Sequence, residues 1–532
     1  MALLCDPSPD STSVKKQIGS MSDIQKDDYS LTARTIWFIG ARIISFAFSF
    51  GLPLLLVRRM SQHEFGVYKQ LFLLIGTAIV TLPLGFATSA FYFLPRERTR
   101  QGEIAFNILL FHAGIGGIIA ITLILFPGLL TSLFNNVELS SYASPVGLLA
   151  LVWILAAPLD TFAIANQETK VATVFIVSSQ LVKAIVLFSA ALLVGSVRAL
   201  IYAAIIHGAL QIGVLIWYLR SRFGAFWRAF DSSIMRRQMA YALPLGAAAI
   251  LFRTYSDLHN YYVSYEFGAA AYAIYAVGCF NILLPDVVTE AVGSVLIPRV
   301  SYLQSQNQRA EIIQLLARML RKVAALFFPL YVLLLVIGRD FITVLFTEQY
   351  LASWPIFAIN LTLIPLALIP SAYDPVVRAY PEYRFFLIRV RAALLLVLIA
   401  ALVFLTTRFG LVGAISAVVL VAALENVITG TKSAKVIGVT RADLLLLKDV
   451  AKIAVAAIVA GVISWIILHM FGASSPLFKL ILGIFMFGMA YIGAILLFRI
   501  ITPQECNMIK TQISRFTIPS KRDPVHEGSS SR

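Results

Sequence analysis

Three cations lie within stretches that are otherwise apolar: Arg42, Lys183 and Arg253. A charge in hydrocarbon is costly, so each marks water, a partner charge or a ligand. A guanidinium can grip two phosphate oxygens at once. Ser45 and Ser49 follow Arg42 at i+3 and i+7, which places all three on one helical face. That face reads as a diphosphate contact, or as half of a structural pair with Asp257 or Asp286. Arg253 and Asp257 are four apart and can pair within one helix. With Asn260 and Tyr261 they read either as a satisfied local ion pair or as a cavity site for phosphate and sugar hydroxyls. The adjacent His259 reads as a packed histidine. Lys183 either makes a second phosphate contact or pairs with Asp160. Asp286 and Glu290, also four apart, can exchange protons or bind sodium, or can neutralise Arg42 or Arg253. Asp374, followed by Pro375 and Arg378, reads as an inner gate, and Glu425 as a residue that snorkels to the surface.

The elements that hold these residues follow from hydropathy. The chain has 532 residues, is 59% hydrophobic and 13% charged, and has a mean hydropathy of +0.85. A soluble chain of this length needs far more polar surface. A bilayer core takes about 20 apolar residues of helix. Fourteen stretches meet that length: 35–57, 71–93, 104–126, 145–165, 172–194, 199–219, 240–263, 271–297, 323–345, 354–377, 387–405, 411–431, 453–469 and 480–498. The expected class is an all-α integral membrane protein with about 14 transmembrane helices, in two six-helix lobes plus an extra helix pair. Its expected parts are a tail at 1–34, an N-lobe at 35–219, a linker at 220–239, a C-lobe at 240–431, the extra pair at 432–501 and a tail at 502–532. The tails read as flexible, and the first as no cleaved signal peptide. Prolines 53, 83, 158, 244, 285, 365 and 370 fall within spans and permit bends. The stretch 303–322 has an apolar stripe among Gln, Arg and Lys. It reads as an amphipathic helix on the inner membrane face, or as a connector packed on the bundle.

The net charge of +16 does not point to nucleic acid, because the cations alternate by side. With the N-terminus in the cytoplasm, 33 of the 43 Lys and Arg fall in cytoplasmic segments. This positive-inside bias places both tails in the cytoplasm, with the basic loops against anionic lipid heads. Cys5, Cys279 and Cys506 suggest neither a disulfide nor a metal site, and no phosphate loop for ATP is present. No cofactor and no metal are expected.

An internal repeat is legible. Glu64-Phe65-Gly66 returns as Glu266-Phe267-Gly268, Pro95-Arg96 as Pro298-Arg299, and Asp160 as Asp374. Three matches in order relate spans one to six to spans seven to twelve.

The run Glu64-Phe65-Gly66-Val67-Tyr68, its echo from Phe267-Gly268 to Ile274-Tyr275, Pro298-Arg299, and Gly410-Leu411-Val412-Gly413-Ala414 resemble the polysaccharide flippases. These are the O-antigen and exopolysaccharide translocases of the multidrug/oligosaccharidyl-lipid/polysaccharide exporter superfamily. The resemblance covers about residues 34–440. It implies a monomer with two lobes around a cationic cavity, and not an enzyme. It also implies alternating access that moves an undecaprenyl-diphosphate-linked oligosaccharide from the inner to the outer leaflet of the bacterial inner membrane. Its partners would be that substrate, the lipid bilayer, a polymerase and other polysaccharide-assembly proteins. By the same resemblance, the extra helix pair is similar to that of the lipid II flippase branch. Three readings compete. A small-molecule cation exporter of the same superfamily would want an acidic aromatic cavity. A polysaccharide polymerase would want a large outer catalytic loop, whereas the longest outer loop here, 127–144, is small. A scaffold would leave the buried charges without a purpose.

Overall fold

The computed structural model describes residues 51–500 except 229, 381, 382, 384, 471–474 and 499. Arg42, Ser45, Ser49, most of the first expected span and both tails lie outside the described residues. Among the described residues every regular element is a helix. Nine of these helices are long and apolar enough to cross a bilayer, or up to eleven if two broken pairs each count as one span. The chain is an all-helical, multi-pass integral membrane protein. It packs as two compact units. The first runs through Val277 and takes back Arg391–Ala414; the second holds Gly278–Val390 and the chain from Ile415 onward. The expected linker at 220–239 lies inside the first unit.

Glycine sets two breaks that hydropathy alone reads as loops. The helices Ser232–Gly278 and Phe386–Ile437 are 47 and 52 residues long, and each leaves helical backbone at one residue. Those residues are Gly268, at φ 76°, and Gly410, at φ 56°. A side chain resists that region and glycine does not. Proline accounts for others. Pro83 follows the helix Gln62–Thr81, and Pro158 separates Ala143–Ala156 from Leu159–Ala165. The tenth expected span is not one helix but Trp354–Asn360, Leu363–Leu366 and Leu368–Ala379, with Pro365 and Pro370 in the later pieces. Pro244 does not interrupt its helix, because a long ladder tolerates one missing donor.

The stretch 303–322 is not a separate surface helix. Leu283–Ser305 ends it, a turn at Asn307 reverses the chain, and Arg309–Phe346 then runs directly into the ninth span. Part of its stripe is buried: Leu303, Ile312 and Leu316 share a core with Leu296, Val300, Val376 and Ile437, while Ile313, Leu315, Met319 and Leu320 are half-buried. Of the two sequence readings, the packed connector is the one observed.

Within the first unit, polar contacts sort to two ends. At one end Arg237 binds Glu97 at 2.7 Å, Arg222 binds Glu168 at 2.7 Å, and Arg100 reaches Glu103 and Asp231. At the other, His63 meets Glu138 at 2.7 Å, and Asn136 donates to Gln70 at 3.2 Å. Asp231 precedes the helix Ser232–Gly278 and accepts from the Ser233 hydroxyl and the Ile234 N–H. Those donors, with Arg100, hold its carboxyl at about 2. A depressed folded-state value stabilises above the ordinary 3.8, and that contribution fades as pH falls toward 2. Asp231→Ala is therefore expected to lower the thermal midpoint of purified protein at neutral pH. The gap from the unmodified chain is expected to narrow between pH 4 and 2, as carboxylates protonate.

Candidate functional site

The helices Gln62–Thr81 and Ser232–Gly278 run against each other in opposite senses along a polar seam. The buried Gln70 amide donates to the Ser264 hydroxyl at 2.8 Å, and the Thr77 hydroxyl donates to the Asp257 carboxylate at 2.8 Å. Both pairs step by seven residues, which is two turns, so one face of each helix supplies the whole seam. Backbones come closest at the two ends. A Cβ on Gly66 would lie 1.9 Å from the Ala269 carbonyl oxygen, and one on Gly246 would lie 2.2 Å from that of Leu84. Leu84 and Gly85 are themselves at positive φ, where Pro83 breaks the helix. Sequence reasoning missed Gln70, Thr77 and Ser264. The signal available was the seven-residue spacing of Gln70 and Thr77 in an apolar run.

Arg253 and Asp257 sit on this seam. Arg253 Nε is 2.6 Å from Asp257 Oδ2, so the sequence-expected pair within one helix forms. Among the described residues the Nε–H nonetheless has no hydrogen-bond acceptor, since it does not point at the oxygen. The contact is Coulombic and not a directional hydrogen bond. Asp257 takes its directional bond from Thr77. Arg253 therefore keeps its terminal nitrogens for another acceptor. Its side chain is 33% exposed against 11% for Asp257. Gly76 leaves the guanidinium room, its Cβ position being 3.6 Å from a terminal nitrogen. One and two turns further, Asn260 meets His259 at 3.4 Å, and Tyr261 stacks on Phe134 with ring centres 5.6 Å apart. His259 is packed as expected, with Nδ1 2.8 Å from the Tyr275 hydroxyl.

Lys183 lies elsewhere in the first unit. Its ammonium sits over the Trp153 ring, 4.9 Å from the centroid. The expected pairing with Asp160 does not form: the two line one cavity of about 250 Å³ without touching. The reason is local. Asp160 follows Pro158 at the start of the helix Leu159–Ala165 and turns one oxygen onto the Thr161 N–H, at 3.0 Å. Lys183 and Trp153 also line a second cavity of about 160 Å³, with Leu52 and Tyr68.

In the second unit, Asp286 is exposed and accepts from the Asn281 amide at 2.8 Å, and Glu290 is exposed. Arg253 is neutralised by its own helix neighbour, as one sequence reading held. Asp374 pairs with Arg378 at 2.9 Å. Glu425 is buried, not snorkelling. Among the described residues no His, Cys, Asp and Glu cluster could hold a metal ion.

A family model described as polysaccharide biosynthesis protein matches residues 55–355. The chain belongs to the polysaccharide biosynthesis protein family. No curated protein matches it by sequence. Its fold is that of MOP-superfamily transporters. The lipid II flippase MurJ, in an inward closed conformation, superposes with a TM-score of 0.69 at 14% identity, over 87% of this chain and 99% of MurJ. A multidrug resistance MATE family transporter of the MOP superfamily, facing inward, gives 0.60 at 12% identity, over 76% and 98%. A MOP superfamily transporter from Pyrococcus furiosus gives 0.53 at 13% identity, over 76% and 94%. This polysaccharide biosynthesis protein thus shares its fold with those transporters.

Proposed function

We propose that this protein is a flippase. It translocates an undecaprenyl-diphosphate-linked oligosaccharide from the inner to the outer leaflet of a bacterial inner membrane, by alternating access, for O-antigen or exopolysaccharide synthesis. The observation that carries the reading is the seam cation. Arg253 is charge-balanced by Asp257 yet, among the described residues, its terminal nitrogens meet no hydrogen-bond acceptor, inside a membrane helix, in a member of the polysaccharide biosynthesis family. A diphosphate is the anion such a fork suits. The sequence-expected Arg42, Ser45 and Ser49 would add contacts, with Asn260 and Tyr261 meeting sugar hydroxyls, and Lys183 would meet the glycan from its own cavity. Asp160, Asp257, Asp286, Glu290 and Asp374 would serve ion coupling or gating.

Fourteen spans in two six-span lobes plus a pair fit this role. The count follows if Gly268 and Gly410 divide their long helices, the pieces from Glu348 to Ala379 form one span, and the helix at 51–59 ends a first. The positive-inside count then puts both termini in the cytoplasm. The protein works as a monomer beside a polymerase and other assembly proteins.

The test is reconstitution. Purified chain in vesicles is expected to expose a lipid-linked oligosaccharide, loaded on one face, to a glycosidase on the other, while empty vesicles do not. Expulsion of cationic dyes with no movement of the glycolipid would establish the small-molecule exporter instead.

A further inference from the structure

The cavity that holds Lys183 has an inventory of polar atoms that selects a ligand. Its walls come from four stretches of the first unit, with Trp153, Asp160, Gln180, Lys183, His207 and Gln211 among the lining residues. His207 Nε2 faces the Ser179 carbonyl at 3.1 Å. A carbonyl only accepts, so that nitrogen carries the proton and Nδ1 is a bare acceptor. Nδ1 is closed off from the open cavity and has no partner among the described residues. The Ser179 hydroxyl sits 3.3 Å from His207 and takes the Gln211 amide at 2.5 Å, which fixes the imidazole in place. Asp160 spends one oxygen on the Thr161 N–H and, as a lining residue, brings the cavity an acceptor with capacity to spare. The donors are the Lys183 ammonium, which has no carboxylate within ion-pair distance among the described residues, and the Gln180 amide, which has no partner there. The Trp153 indole N–H is tied to the Ala204 carbonyl at 2.9 Å, so the ring is a fixed apolar wall.

Opposite charges in a low-dielectric space attract strongly, and here a cation and a carboxylate share a cavity without meeting. The space between them is shaped for something that satisfies both. An inorganic anion would serve Lys183 and set its remaining acceptor oxygens against the Asp160 carboxylate. A neutral sugar can answer donors and acceptors alike through its hydroxyls but brings no countercharge to the Lys183 ammonium. A sugar ring bearing a carboxylate answers both charges: its hydroxyls donate to Asp160 and its carboxylate accepts from Lys183 and the Gln180 amide, with the Trp153 ring as a wall. The volume of about 250 Å³ has room for one such ring.

We propose that this cavity is a binding site for an acidic sugar residue, a uronic acid, of the transported glycan. The proposal rests on the flippase reading for its biological ligand and on the cavity alone for its chemistry, so binding to purified protein tests it separately from transport. The probe is free D-glucuronate, titrated against intrinsic tryptophan fluorescence of the full chain in detergent, with D-glucose and inorganic phosphate in parallel. The expected result is a saturable change with glucuronate, at least tenfold weaker with glucose or phosphate. That change disappears in Trp153→Phe and in Lys183→Met and returns in Lys183→Arg, each variant being first shown monodisperse by size exclusion. Equal saturation by glucose would overturn the role of the carboxylate, and full saturation by phosphate would reduce the site to a simple anion pocket. No saturable response, or a glucuronate response that survives in folded Lys183→Met, would remove the site. Glucuronate binding by a protein that moves no glycolipid in vesicles would leave this site standing and sink the flippase reading.

Discussion

Exchanging Arg253 and Asp257 for one another is expected to leave a folded, membrane-inserted chain that exports at least ~10-fold less polysaccharide, the loss of about one charge-assisted hydrogen bond. The exchange keeps both charges, their four-residue spacing and net neutrality. It moves the cation one turn along the helix, about 5.4 Å, toward Thr77 and away from the space that Gly76 leaves open. A purely structural pair would lose only the Thr77 hydrogen bond to Asp257, since the Arg253–Asp257 contact is Coulombic and tolerates reorientation. A diphosphate grip would not, because a bidentate fork reads position. Single substitutions discriminate less well. Arg253→Ala leaves Asp257, which is 7% exposed, without its cation, and breaking such a pair is costly whatever its purpose. The measurement is surface polysaccharide per unit of inserted protein, with thermal midpoint as the folding control. Export at the unmodified level by the exchanged chain would mean that Arg253 serves packing alone.

How far the sequence spoke depends on the range of the interaction involved. Pairings within one helix were legible: Arg253 with Asp257 and Asp374 with Arg378 are both i, i+4, and both form. Breaks were legible where glycine falls between apolar runs, as at Gly268 and Gly410, or where proline ends a helix, as at Pro158. Pairings between helices were not. Lys183 and Asp160 sit on neighbouring spans at similar depth, and spacing alone offers each to the other. What separates them is a local preference, the Asp160 carboxylate turned to the Thr161 N–H, and an aromatic ring under the ammonium. The seam partners Gln70 and Thr77 were invisible for the opposite reason. They are ordinary polar residues until the facing helix supplies Ser264 and Asp257 in register. The stripe at 303–322 shows a third limit. Amphipathicity states that one face is apolar and does not state whether lipid or protein covers it, and here protein covers Leu303, Ile312 and Leu316 and leaves Ile313 and Leu320 half-buried.

The repeated Glu-Phe-Gly motif yields the other large effect, because its two glycines have different tasks. Gly66 stands where a Cβ would be 1.9 Å from the Ala269 carbonyl oxygen, with the carbonyl carbon at 2.4 Å. No flexible side chain can yield there, so the backbones must part by more than an ångström. Gly268 has open space around its Cβ position and is needed only for its φ of 76°. A non-glycine residue at that φ and its ψ of 178° costs roughly 1–3 kcal/mol, which a long membrane helix can absorb. Gly66→Ala is therefore expected to abolish export and Gly268→Ala to reduce it modestly. The contact itself can be read with cysteines at Gln70 and Ser264, whose side chains touch at 2.8 Å, in a chain freed of its three native cysteines. A short bis-thiosulfonate reagent should bridge them readily in the parent and in Gly268→Ala. In Gly66→Ala the yield should fall at least ~10-fold, since every ~1.4 kcal/mol lost from the closed contact is a decade in its population. Equal bridging in both glycine variants would show that the seam does not depend on the close approach at Gly66. The capping box that Ser61 and Glu64 form at the start of the same helix supplies an internal control. Glu64→Gln keeps the cap and the packing and should leave the bridging yield as it is in the parent.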